Sequence, residues 1–395
     1  MQYEFIASQR ELTDFCELIA AARVIAFDTE FVSEDSYRPQ LCLIQVAADD
    51  RLAVIDPLTI EDMKPFWELL AQPQHLTIVH AGREELRFCL HAIGRPPANL
   101  LDVQIAAGLI GLEYPAAYST LVSRLLGKTL PKGETRTDWR KRPLTQRQLE
   151  YALHDVFYLE RIGEILQKKL ASMQREAWLQ GEMQCWMKTV DQYENGERWT
   201  RTPGIANLKP RALAIVRELW RWREQEAERR DHPARRVLRD DLLVELARCE
   251  TADIKRIRSI RGLDRGDLQK YLPKMAAKIE EALNLPPAEY PELDRRTSHN
   301  QLSLLAQFVN IALGTICRSA EVAPSIVGTA QDVRDLVAYH LNLWDAAEPP
   351  PALAQGWRAE VVGQVIVDML AGKLAVSIRD PLADEPLQFE RRNPR

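Results

Sequence analysis

Two carboxylates close an apolar run in Val24-Ile-Ala-Phe-Asp-Thr-Glu-Phe31. A strand that ends on Asp28 and Glu30 aims both at one face, because side chains alternate with period two. A third acid, Glu85, follows His80-Ala-Gly-Arg-Glu84. Tyr151 and Asp155 stand four apart in Tyr151-Ala-Leu-His-Asp155, a spacing that makes them neighbours on a helix surface. Converging carboxylates repel one another unless cations sit between them, and hard oxygen ligands suit Mg2+ or Mn2+. The chemistry open to such a set is phosphodiester hydrolysis at a two-metal site. Each cluster alone is a weak signal. Asp-x-Glu after an apolar run is more often a strand end meeting a solvated turn, and Tyr151 alone reads as a half-buried helix residue. The order and spacing of all three carry the reading.

With those motifs in place, the first 170 residues resemble the DEDD family of 3′-to-5′ exonucleases, in the subclass with tyrosine in the last motif. The sibling subclass has histidine five residues before the final aspartate, where this chain has Glu150. Leu41-Cys-Leu-Ile-Gln-Val46, Leu101-Asp-Val-Gln104 and Thr137-Asp-Trp-Arg-Lys-Arg-Pro-Leu144 are similar to the ribonuclease D branch and its eukaryotic exosome-associated relatives. Residues beyond 205 resemble the HRDC helical modules of that branch. The resemblance implies Asp28, Glu30, Glu85 and Asp155 as ligands of two divalent cations, and Tyr151 as the group that orients the attacking water. A phenol with an ordinary pKa near ~10 is a poor general base, so a positioning role suits it. One departure stands out: related enzymes carry aspartate where this chain has Glu85, which adds a methylene to the reach of the carboxylate. Asp102 reads either as a group supporting the site or as a helix N-cap. For Trp139 a structural role comes before base stacking.

The elements that must position these groups alternate in type. Strand-like runs cover Val24 to Phe31, Leu41 to Ala47, Leu52 to Ile55 and Leu76 to His80, with helices expected at Gln9 to Ala21, after Gly82, and from Asp102 to Gly111. Gly127 to Pro143 reads as an irregular loop, and Gln146 to Leu170 as one helix bearing the last motif. Strands followed by helices predict an α/β domain with a mixed sheet, which the resemblance specifies as the ribonuclease H-like fold. A charged helix from about Ile162 to Gln192 is expected to lead away from it, and short helices then build two all-α, HRDC-like modules. The expected division is 1–170 exonuclease, 171–205 connector, 206–288 and 289–380 helical modules, the second divergent, and 381–395 a frayed polar tail. On this reading, deleting residues 205–395 leaves a folded nuclease.

Composition narrows the function classes. A chain of 395 residues, 46% hydrophobic and 28% charged, is long enough for two or three soluble domains. It has no apolar run of membrane-spanning length and no secretory leader. Six cysteines, none in Cys-x-x-Cys, argue against a disulfide framework and for a reduced cytoplasm. The net charge of −5 hides an asymmetry: Lys209 to Lys278 holds 19 Lys plus Arg against 12 Asp plus Glu. Within it, Lys255, Arg256, Arg258 and Arg261, extended by Arg235 and Arg236, form a candidate phosphate-binding patch. The function expected is divalent-metal-dependent trimming of structured RNAs with a free 3′ end, tRNA precursors among them, releasing nucleoside 5′-monophosphates. The competing readings are a proofreading-type DNA exonuclease and a catalytically weak nucleic-acid-binding adaptor. Oligomeric state is left open.

Overall fold

The computed structural model describes residues 1–131, 137–263, 266–293, 300–345, 347–383 and 386–392. Part of the loop expected over 127–143 therefore lies outside the described residues, as does the end of the tail. The first domain runs β1 (Glu4–Ile6), α1 (Gln9–Ile19), β2 (Val24–Val32), β3 (Gln40–Ala48), β4 (Arg51–Ile55), α2 (Lys64–Leu70), β5 (Leu76–Val79), α3 (Arg83–Ile93), β6 (Leu100–Asp102), α4 (Val103–Gly108), α5 (Tyr118–Leu126), α6 (Gln146–Phe157) and α7 (Leu159–Ser172). The sheet order is β1-β4-β3-β2-β5-β6. The β2–β3 and β3–β4 pairs are antiparallel and the rest parallel, so the sheet is mixed as expected.

Period two decides what each face of β2 does. Ile25 and Phe27 point to one side, where Phe27 meets Phe66 and Trp67 edge-on at 5.8 and 6.0 Å under α1 and α2. Ala26, Asp28 and Glu30 point to the other, in register with Ala47, Gln45 and Leu43 of β3. Helices α6 and α7 cover that second face. The stretch expected as a single helix breaks at Tyr158, a turn residue with φ −105° and ψ −1°. The break lets α6 lie over β3 while α7 crosses β2 and β5. Gly163 makes the second crossing close: a Cβ there would stand 2.7 Å from Ile78 Cδ1.

The long helix expected from Ile162 is also interrupted. The chain turns at Gln174 with φ +57°, and the Arg175 guanidinium is held by the carbonyls of Leu109, Ala320 and Glu321. Helix α8 (Glu176–Asn195) then comes back onto α3 instead of leading away, with Glu194 2.7 Å from Arg87 and 2.9 Å from His91.

The first helical module comprises α9 (Pro210–Arg230), α10 (Ala234–Val237), α11 (Asp240–Cys249), α12 (Ile254–Arg258), α13 (Gly266–Gln269) and α14 (Leu272–Leu283). Its leading helix has 21 residues, longer than the short helices expected, and the module encloses a core of its own. The loop between β2 and β3 ties it to the sheet: Arg236 reaches Asp35 at 2.7 Å and Arg38 reaches Glu228 at 2.8 Å. The second module has α15 (Asn300–Ser319), α16 (Pro324–Val327), α17 (Ala330–His340), α18 (Gly356–Arg358) and α19 (Gln364–Leu370), the last two joined by a π-helical turn. It shares one core with the first domain, since Cys317, Val322 and Ile326 pack with Ile105, Leu109 and Ile110. The tail is not simply frayed: β7 (Leu374–Ile378) pairs antiparallel with β8 (Leu387–Arg391). No described helix is long and apolar enough to cross a membrane.

Candidate active site

Asp28 and Glu30 leave β2 on the face beneath α6 and α7, and Tyr151 and Asp155 descend toward them from α6. Helix α6 starts where it does because Thr145 and Gln148 form a reciprocal capping box. Glu85 enters from the first turn of α3 and is buried, with 5% of its surface exposed. Glu84, its neighbour, turns away to Arg87 at 2.7 Å, so Glu85 is the acid that faces β2. The added methylene has a structural partner. Thr29 points to the opposite side of β2 from Asp28 and Glu30, and its hydroxyl donates to Glu85 Oε1 at 2.5 Å.

The electrostatics are those of a buried acidic cleft. Burial first, then repulsion from Glu85, Asp155 and Glu30, pushes the Asp28 carboxyl well above its ordinary value. Burial and the negative charges of Asp155 and Glu85 raise Glu30 from 4.5 to about 8. Glu85 rises to about 7 through burial, against the lowering effect of the Thr29 hydroxyl. Asp155 also rises to about 7 through burial, while hydrogen bonding from Tyr151 pulls it back. Burial followed by the charge of Asp155 raises the Tyr151 phenol, moving it further from use as a base. Among the described residues, no three His, Cys, Asp or Glu side chains form a ready metal-ligand group. Glu85 and Asp155 both act on Asp28 and Glu30 through their charges, so the four carboxylates share one cleft. An all-oxygen set carrying this much negative charge fits hard divalent cations.

Around the acidic set lie Asp102 and Trp139, noted in the sequence, and Arg142 and Gln45, to which the sequence gave no role. Asp102 is the N-cap of α4, accepting from Gln104 N at 2.8 Å, and it also accepts from Ala81 N at 3.1 Å and Gly82 N at 3.0 Å. Both readings of Asp102 thus meet in one carboxylate, which holds the turn that launches α3 and Glu85. That turn is tight: Ala81 has φ +53°, and a Cβ on Gly82 would stand 2.3 Å from Val79 Cγ2. Trp139 is buried and stacks on Tyr151, with ring centroids 6.2 Å apart, which agrees with a structural role. Arg142 anchors its loop by donating to Trp139 O at 2.8 Å and to both oxygens of buried Asp56 at 2.5 and 2.7 Å. Gln45 lies directly across the ladder from Asp28, fully buried, and neither side-chain amide atom has a hydrogen-bond partner among the described residues. Thr29 and Gln45 lay inside motifs already quoted, but nothing in the sequence gave either a role.

The cationic candidates divide. Lys255, Arg256, Arg258 and Arg261 are exposed on and just beyond α12, as is Arg235 on α10. Arg236 is drawn instead into the bridge to Asp35. Many other cations of the module are paired internally, as Arg229 and Arg230 are with Glu226.

Comparison with known proteins gives the same answer as the fold. A family profile described as 3′-5′ exonuclease matches residues 3–171, and one described as HRDC domain matches 212–279. Ribonuclease D of Zymomonas mobilis is 34% identical, covering 95% of this chain and 96% of its own length. Ribonuclease D of Bartonella henselae is 33% identical over 89% of this chain and 86% of its own. The crystal structure of Escherichia coli RNase D, described as an exoribonuclease involved in structured RNA processing, superposes with a TM-score of 0.82 at 28% identity, covering 94% of this chain and 99% of that one. A ribonuclease H-like sheet carrying an acidic cleft, followed by an HRDC module and matched over nearly its full length, places this chain in the ribonuclease D family of 3′-to-5′ exoribonucleases.

Proposed function

We propose that the chain trims the 3′ ends of structured RNAs, tRNA precursors among them, by a divalent-metal-dependent hydrolysis that releases nucleoside 5′-monophosphates. Asp28, Glu30, Glu85 and Asp155 would hold two cations, Mg2+ or Mn2+. When bound, such a pair lowers the pKa of water and offsets charge building on the phosphate. The protein's own part is to orient. Tyr151, braced by Trp139 and too weak an acid to ionise and serve as a base, positions the attacking water through its hydroxyl. Thr29 restrains the longer Glu85 side chain, and Asp102 keeps its helix in place. The single observation that supports this reading most is the buried acidic cleft itself, where the charges of Glu85 and Asp155 raise both Asp28 and Glu30.

In this division, residues 1–170 do the chemistry, 171–205 connect, and 206–288 supply sequence-independent phosphate contacts through Lys255, Arg256, Arg258, Arg261 and Arg235. Residues 289–380 form the divergent second module, and the segment after 380 closes it through β8. The reduced cytoplasm is the proposed place of action. Purified protein incubated with 3′-labelled RNA or DNA in Mg2+, Mn2+ or EDTA tests the reading. Mononucleotides from RNA, only with a divalent ion, are expected. Activity undiminished in EDTA or endonucleolytic products would refute it, DNA-only cleavage would point to a DNA exonuclease, and binding without hydrolysis would point to an adaptor.

A further inference from the structure

Three arginines crowd one tyrosine where the nuclease domain, α8 and the first helical module meet. Arg83 opens α3, Tyr193 lies near the end of α8, and Arg198 and Arg201 flank the short turn that follows. Their guanidinium carbons stand 4.5, 4.7 and 5.0 Å from the Tyr193 ring centre. Arg198 meets one carboxylate among the described residues, Glu224, in a long contact at 3.9 Å. Arg83 and Arg201 are exposed, and neither has an ion-pair partner among the described residues. Three like charges gathered on one ring repel, and an anion drawn to the cluster relieves that repulsion. The ring provides attraction through its face and fixes the guanidinium planes. Among the described residues the edge N–H groups of Arg83 and Arg201 meet no carboxylate, and they keep the fork geometry that suits phosphate oxygens.

The cluster is distinct from the acidic cleft. Arg83 and Glu85 are two residues apart and so project from nearly opposite sides of α3, a separation on the order of a helix diameter, ~10–12 Å. We propose that Arg83, Arg198 and Arg201, held on Tyr193, form a backbone-phosphate site for the part of an RNA strand upstream of the 3′ end lying in the cleft. This rests on the function proposed above, and it adds where the strand runs: along the seam of α3 and α8, not only over α12.

Binding measured apart from hydrolysis tests it. Fluorescence anisotropy of a labelled single-stranded RNA, in EDTA at several salt concentrations, gives the slope of log affinity against log salt. Loss of two phosphate contacts in R83Q/R201Q should reduce that slope by about 1.4. The charge-preserving R83K/R201K pair should keep most of it. An unchanged slope in the glutamine variant would overturn the proposal. So would an equal loss in the lysine variant, which would mean the arginines act through packing. Displacement of RNA from the native protein, but not from R83Q/R201Q, by low-millimolar inorganic phosphate would assign the site to a free anion instead. A protein that fails to cleave RNA yet shows the glutamine-specific loss would keep this site while refuting the hydrolytic reading.

Discussion

Arg142→Ala tests how the loop over Tyr151 is held. Asp56 is only 2% exposed, and Arg142 meets both of its carboxylate oxygens at 2.5 and 2.7 Å. The same guanidinium donates to Cys42 O and Trp139 O, each at 2.8 Å. Alanine would leave a buried carboxylate with one remaining contact, from Leu58 N at 3.1 Å, and two carbonyls short of a donor. Removing one member of a buried pair costs about 3–5 kcal/mol. Arg142 itself keeps 25% of its side chain in water, so the lower end, about 3 kcal/mol, is expected. For a domain of this size that lowers Tm by about 6–12 °C. Because Trp139 loses its anchor and stacks on Tyr151, turnover assayed well below the new Tm should also fall. The double variant R142M/D56N removes both charges and should recover most of the stability. Scanning calorimetry with single-turnover RNA cleavage reads both effects. A Tm within about 2 °C of the native protein, or a double variant as unstable as the single, would refute the reasoning.

Tyr151→Phe should lower the single-turnover rate far more than RNA affinity, because a positioning hydroxyl acts mainly in the transition state; lost affinity with an unchanged rate would reassign it. Glu85→Ala should cut activity by orders of magnitude, whereas Glu85→Asp should hold or raise it and lessen any preference for Mn2+, as titration of each variant with both metals would show. Acid should weaken the α3–α8 seam: burial would raise Glu194, but hydrogen bonds from His91 and Arg87 prevail and take it from 4.5 to about 2. Its folded pKa is depressed, so its stabilisation is present above about pH 4.5 and fades as pH falls toward 2, and the Tm difference between native protein and Glu194→Gln should shrink across that window. Deleting residues 289–395 should destabilise the nuclease domain by exposing the core it shares with α15 and α16, while an isolated 206–288 fragment, with its own core, should fold; circular dichroism melts of both pieces decide it.

That last expectation reverses what the sequence alone implied. Periodicity reports which face of an element is apolar, not what covers it, and α15 reads the same whether its partner is a module of its own or the nuclease domain. The breaks at Tyr158 and Gln174 were illegible for a related reason: neither is glycine or proline, and each follows from where the flanking helices must pack. Exposure along α12 and the capture of Arg236 by Asp35 also depend on distant chain segments. The acidic set was another matter. Asp28 and Glu30 share a strand face by period two, Tyr151 and Asp155 share a helix face by four-residue spacing, and Asp102 caps the helix it precedes. Local covalent geometry governs all three relations, so the sequence by itself determined them. Spacing favoured Glu85 over Glu84, and the tertiary structure supplied the partners of each: the Thr29 hydroxyl for Glu85 and Arg87 for Glu84. It alone gathered Arg83, Tyr193, Arg198 and Arg201, because only the return of α8 onto α3 brings those residues together.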